Sequence, residues 1–321
     1  MLLLMAFLIC SDGMGEINDP TSLADSDNVF HGFFKECIKA RHECALYKPG
    51  YTAEKLEKKV MDVIDSLEKE PLEVYHNSTI WGVLNRRTVL TSIFPVLYKP
   101  KGWYPLAQSL NGLIQGNGTE FWFNYGLQPP YPEKMGEHLY FVSLNDKGAG
   151  RDLWPQKEEL IDYVKPYFNS TIFTLDYSDF YVTAQWRNAR THPLKLKKSV
   201  KTKYPLLILS QTYDPVCPLR SARVALKTFE DSRLVEVEGY GHCSIAIHST
   251  CSNDIAREYL LHGTLPDEKE TKCATDKPYF VSPEKQEEIK LKAAMKGASD
   301  EDRSWAAQME LSDHIHGLGR F

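Results

Sequence analysis

The sequence predicts an α/β chain in which the C-terminal strands of a mostly parallel sheet follow a helix-rich stretch. Three observations carry this. Leu206 to Leu209 is an apolar run of the kind buried on both faces of a sheet, and it ends at Asp214, with Pro215 and Pro218 beyond. Ser221 to Phe229 then sets Ala222, Val224, Ala225 and Phe229 at helical spacing, and a second strand, Leu234 to Val237, runs into Gly239-Tyr240-Gly241-His242. Ahead of these, apolar residues recur at helical period in segments such as Val29 to Ile38 and Leu56 to Leu67.

An acid therefore stands at the end of one strand, a crossover helix follows, and a histidine stands just past the next strand. In an open parallel sheet the loops at the carboxyl ends of the strands share one edge, where ligands bind. Asp214 and His242 are expected to meet there. A carboxylate that fixes the tautomer of an imidazole, which in turn takes a proton from a nucleophile, is the chemistry such a pair performs.

The stretch Pro205 to Cys251 resembles the C-terminal part of α/β-hydrolases, specifically the tripeptidyl aminopeptidase-like peptidases. Asp214-Pro215-Val216-Cys217-Pro218-Leu219 matches their D-P-V-x-P-L, and Gly239 to Ser244 matches their G-x-G-H-C-S, with a later cysteine at Cys251. The resemblance implies a partial α/β-hydrolase fold with a helical lid, Asp214 as triad acid and His242 as triad base. The chain order serine, acid, histidine belongs to that fold. The nucleophile elbow G-x-S-x-G is not found: Gly112 and Gly116 have that spacing, but Ile114 lies between them. Ser244 belongs to the structural part of its motif. The expectation is two thirds of a triad, with the family's first strands, oxyanion loop and nucleophile missing.

At 321 residues the chain can form one large domain or two ordinary ones. The expected division is an N-terminal strand and linker over 1–20, a lid region over 21–135, the hydrolase domain over 136–280 and a charged helical tail over 281–321. A net charge of −5 carries no basic signature for nucleic acid, and no apolar run is long enough to span a bilayer. The N-terminal MLLLMAFLIC reads either as a signal-peptide core without a positive n-region or as a buried strand; the resemblance implies the strand, ending at Ser11-Asp12-Gly13. Seven cysteines leave at least one unpaired in any intramolecular scheme. The resemblance implies a Cys37–Cys44 disulfide in the lid, while pairing among Cys243, Cys251 and Cys273 stays open. Acceptor sequons at Asn77, Asn117 and Asn169, taken with the cysteines, point to secretory ancestry and leave the chain's own compartment open.

Taken in order, a polar linker over Gly15 to Asp27 precedes the helix carrying Val29, Phe30, Phe33, Phe34, Cys37 and Ile38. Thr52 caps a second helix, which Pro71 ends. A third is expected from Trp81 to Tyr98. The aromatic residues from Tyr98 to Tyr104 either line a cleft or pack helices together. Gly116 to Tyr131 is a break, His138 to Leu144 alternates as a strand ending near Asp146, and residues 152 to 168 read as a helix. Trp186-Arg187 falls at a tryptophan-bearing segment of the resembling family. Lys195 to Lys203 is a lysine-rich, water-facing loop. Tyr177 and Asp179 receive no role. Ile255 to Leu261 reads as a helix, and two surface helices follow, begun by Ser282-Pro283-Glu284 and by Ser299-Asp300-Glu301-Asp302.

Two functional classes follow. The first is a serine hydrolase releasing short peptides from free N-termini, acting on a peptide or small ester or amide, with its nucleophile supplied by upstream sequence or by a partner chain. The second is a non-catalytic pseudoenzyme or interaction module, in which a partner chain covers the open sheet edge. A truncated gene product is a third account, of origin and not of function. A serine hydrolase implies no cofactor, and His314-x-His316 lacks a third metal ligand, so no metal site is read from the sequence.

Overall fold

The computed structural model describes residues 3–5, 9–10, 13–14, 20–126, 144–145, 155, 157–174, 184–187 and 199–317. Among them the chain runs β1 (Leu3–Met5), β2 (Ile9–Cys10), β3 (Gly13–Met14), α1 (Ser26–Ala40), α2 (Ala53–Ser66), β4 (Leu72–Asn77), β5 (Ile80–Leu84), α3 (Arg86–Leu97) and α4 (Trp103–Ile114). It continues through α5 (Glu158–Val164), β6 (Leu207–Tyr213), α6 (Leu219–Thr228), β7 (Arg233–Tyr240), α7 (Thr250–His262), β8 (Glu270–Ala274), α8 (Pro283–Ala294) and α9 (Asp300–Gly317). These elements form two compact units, one of residues 1–27, 131–244 and 251–274, the other of 28–130, 245–250 and 275–321.

The first unit holds a sheet of order β1-β6-β7-β8, every pairing parallel. Successive residues of β6 face opposite sides, as a strand requires. Leu206 and Ile208 pack with Leu219, Ala222, Ala225 and Leu226 of α6. Leu207 and Leu209 pack with Tyr259 of α7 and with Cys273. The two crossover helices therefore cover opposite faces, which is why the run reads as continuously apolar. Tyr259 also donates its hydroxyl to the Pro205 carbonyl at 2.8 Å. β7 is longer than expected, reaching Tyr240, and buries Glu236, whose carboxylate accepts from Thr212 Oγ1 at 2.8 Å and pairs with Arg223 at 3.4 Å. The N-terminal apolar stretch supplies β1 at the side of β6, so the strand reading holds over Leu3–Met5.

The second unit is mainly helical. Phe30, Phe33 and Phe34 of α1 are fully buried, and Phe33 meets Trp103 edge-on at 5.6 Å between ring centroids. Trp103 stacks on Tyr279 at 5.0 Å, so this aromatic residue packs the core and does not line a cleft. Thr52 caps α2 as expected, its side chain accepting from the Lys55 amide at 3.3 Å. The expected Trp81–Tyr98 helix is corrected. Ile80–Leu84 is a strand paired antiparallel with β4, and the helix begins only after Asn85, whose carboxamide accepts from the Thr88 amide at 2.8 Å. The Asn77 side chain turns the chain between the strands by accepting from the Thr79 amide at 2.9 Å. These two asparagines bracket a strand that helical spacing alone had merged with the next helix.

The tail forms α8 and α9, as expected, with Ser282 capping the first through the Lys285 amide. The two helices share a small core of Val281, Ile289 and Met309. Helix α5 starts at Glu158, later than the expected position 152, and only part of that interval is described. The expected strand over His138 to Leu144, except Leu144 itself, lies outside the described residues, as do Asp146, Tyr177, Asp179 and residues 195–198 of the lysine-rich loop. The described part of the Gly116 to Tyr131 break contains a helical turn at Thr119–Phe121 and a π-helical turn at Trp122–Gly126.

Candidate acid–base and thiol site

The site lies at the carboxyl ends of β6 and β7. Asp214 follows β6 directly and is 1% exposed. Its Oδ1 accepts the amides of Val216 at 3.0 Å and Cys217 at 2.8 Å, the local turn that an aspartate before proline favours. Its Oδ2 accepts the Cys243 amide at 2.8 Å. The same carboxylate meets Nδ1 of His242, at 3.1 Å to each oxygen. Three backbone donors and one imidazole thus share one buried carboxylate.

The histidine is turned toward the acid by its own backbone. Gly241 has φ +116°, a conformation open to glycine and strained for residues with a Cβ, and its amide donates to the Tyr213 carbonyl at 3.1 Å. Cys243 is left-handed at φ +65° although it carries a Cβ. Its amide bond to Asp214 and the bond from Gln211 Nε2 to its carbonyl, at 3.1 Å, hold it there. A register shift between Gln211 and Tyr213 lets Tyr213 and Tyr240 stack at 5.5 Å beside these two loops.

Burial by itself lowers the pKa of the imidazole. Hydrogen bonds with Asp214 and with the thiols of Cys217 and Cys243 outweigh burial and raise it above the ordinary histidine range. Burial pushes the Cys217 thiol up to about 11, partly offset by its bond with His242. The donor set of Asp214, His242 and Cys243 is compact enough to take a metal ion, its ligand atoms all within 4.8 Å of one another.

The structure thus brings Asp214 and His242 together as expected, and adds two cysteines that residue-type reasoning had left aside. Their positions, three residues after the acid and one after the histidine, carried the signal. Cys37–Cys44 is a disulfide, and the open pairing resolves as Cys251–Cys273, leaving Cys217 and Cys243 as buried free thiols. Ser244 is buried. His314 and His316 fall on α9, with side chains outside the described residues.

Residues 174–273 match the family model described as TAP-like protein. The chain carries a TAP-like α/β-hydrolase domain. Both strands of the site, both loops and the Cys251–Cys273 bridge lie inside it. No curated protein matches the sequence.

A second hydrogen-bonded row of the same residue types lies in the helical unit. His248 Nδ1 is 2.7 Å from Asp276 Oδ1, and its Nε2 is 3.1 Å from Ser304 Oγ. Its side chain is 1% exposed, so the imidazole is closed to substrate. The adjoining cavity, lined by His248, Tyr279, Trp305 and Gln308 among others, measures about 40 Å³, room for water and not for a peptide. The row ties Ser304 of α9 to the segments carrying His248 and Asp276.

Proposed function

We propose that the TAP-like domain supplies the acid and base of a Ser-Asp-His peptidase that releases short peptides from free N-termini. The observation that carries this is the Asp214 carboxylate on Nδ1 of His242, at the ends of adjacent parallel strands. Asp214 holds the ring so that Nε2 faces a nucleophile, and stabilises the imidazolium formed when the base takes a proton. A serine elbow is absent from the 321 residues, so the nucleophile and oxyanion donors come from further sequence or a partner chain. The test is hydrolysis of unblocked tripeptidyl fluorogenic amides by protein isolated from its source, with a fluorophosphonate to tag the serine. Turnover and tagging that both disappear in His242→Ala support the reading; turnover unchanged in His242→Ala, or no tagged serine in any preparation, overturns it.

A specific observation favours a second reading, a non-catalytic module. The imidazole is bonded to two thiols as well as to Asp214. On that reading Asp214 and His242 serve stability, and their substitution lowers the melting temperature with no activity to lose.

A further inference from the structure

We propose that Cys217, Cys243, His242 and Asp214 form a binding site for a thiophilic divalent cation of the zinc class. No metal site was legible in the sequence, because these four residues fall in two separate loops. The fold gathers them. Ligand atoms of Asp214, His242 and Cys243 lie within 4.8 Å of one another. The Cys217 thiol hydrogen-bonds the same imidazole, and its amide donates to the same carboxylate at 2.8 Å. Two sulfurs, one imidazole nitrogen and one carboxylate oxygen make a donor set suited to tetrahedral zinc. Bonds of about 2.0–2.3 Å place tetrahedral ligands roughly 3.3–3.8 Å apart, so contraction by about an ångström brings Asp214, His242 and Cys243 onto one ion, and Cys217, outside that compact group, moves further to complete the shell.

Both cysteines are buried and outside the two disulfides. Both backbone amides are already fixed on Asp214, which limits the freedom lost on binding. Each thiol that ligates gives its proton to solvent, and the bound cation replaces those protons. The ion also occupies the imidazole that the hydrolase reading needs as proton acceptor, so zinc-loaded protein would be held inactive on that reading. Binding itself does not depend on turnover.

The test is a Co2+ titration of the full-length chain with both disulfides intact, read by thiolate-to-cobalt charge-transfer absorption. One equivalent per chain is expected, displaced by Zn2+ and not by Mg2+. Cys243→Ser and Cys217→Ser should each weaken binding at least about tenfold, while Cys10→Ser leaves it unchanged. If the serine variants fail to fold, X-ray absorption of the zinc-loaded wild type decides, with two sulfur and two nitrogen or oxygen neighbours expected. Three results each overturn the proposal: no charge-transfer band, a band whose cobalt dependence and intensity are unchanged in Cys243→Ser, or a Cys217–Cys243 disulfide in the purified chain. A chain that hydrolyses peptides but ignores cobalt refutes this site alone. One that binds cobalt but never turns over refutes the peptidase reading alone.

Discussion

The Cys243 amide donates to Asp214 Oδ2 at 2.8 Å, and this bond accompanies the one backbone strain in the candidate site carried by a side-chain-bearing residue, φ +65° at Cys243. The residue after the histidine is thereby locked to the acid. Removing the strain while keeping the amide should be favourable. Cys243→Gly is expected to be more stable than Cys243→Ala by up to about 1 kcal/mol, since both lose the thiol and only glycine accepts the left-handed backbone freely. Urea denaturation of the two variants measures it; an alanine variant as stable as the glycine one would show that the turn relaxes.

Asp214→Asn tests the carboxylate as a hub. A carboxamide keeps one oxygen but turns an NH2 toward backbone amides that need acceptors. With several buried donors facing it, the expected loss is about 2–4 kcal/mol. Equilibrium unfolding gives the value, and a loss under about 0.5 kcal/mol would mean the three amide bonds do not persist in solution.

Gly82 packs against Trp122, and a Cβ built there would lie 2.0 Å from the indole Cζ2. Gly82→Ala should destabilise the hairpin of β4 and β5 by about 1–3 kcal/mol through overpacking. Thermal melting is the measurement, and an unchanged midpoint would place the indole elsewhere.

The pKa of Asp276 is set first by burial, which raises it. Bonds from Thr250, at 2.8 Å to its amide, and from His248 outweigh burial and bring it below the ordinary 3.8. A depressed carboxylate contributes stability that is complete above its unfolded value and fades as pH falls through the folded one. The groups facing it are His248 and Thr250, and its sequence neighbour Lys277 is engaged with Glu301. Wild type should therefore exceed Asp276→Asn in stability near neutrality, and the gap should narrow as pH falls below 3.8. Urea titrations across that range check the sign; a gap that is constant with pH would remove the ionised carboxylate from the account.

The sheet was legible because burial on both faces leaves a mark in one dimension. Leu206–Leu209 and Leu234–Val237 are apolar without alternation, and the helices between and after them keep their period. The ends of both strands were legible through Asp-Pro and Gly-x-Gly-His. The hairpin of β4 and β5 was not, because Trp81 and Val83 are exposed large hydrophobics, and exposed apolar residues imitate a helix face as readily as a strand.

Sequence by itself determined the parallel strands of the site and the positions of Asp214 and His242 at their ends, since each is written in contiguous residues. Only tertiary structure decided which cysteines are bridged and which thiols stand beside the imidazole. Those contacts join the loop after β6 to the loop after β7, and distance between loops is set by strand pairing, which leaves no trace in the spacing of cysteines along the chain.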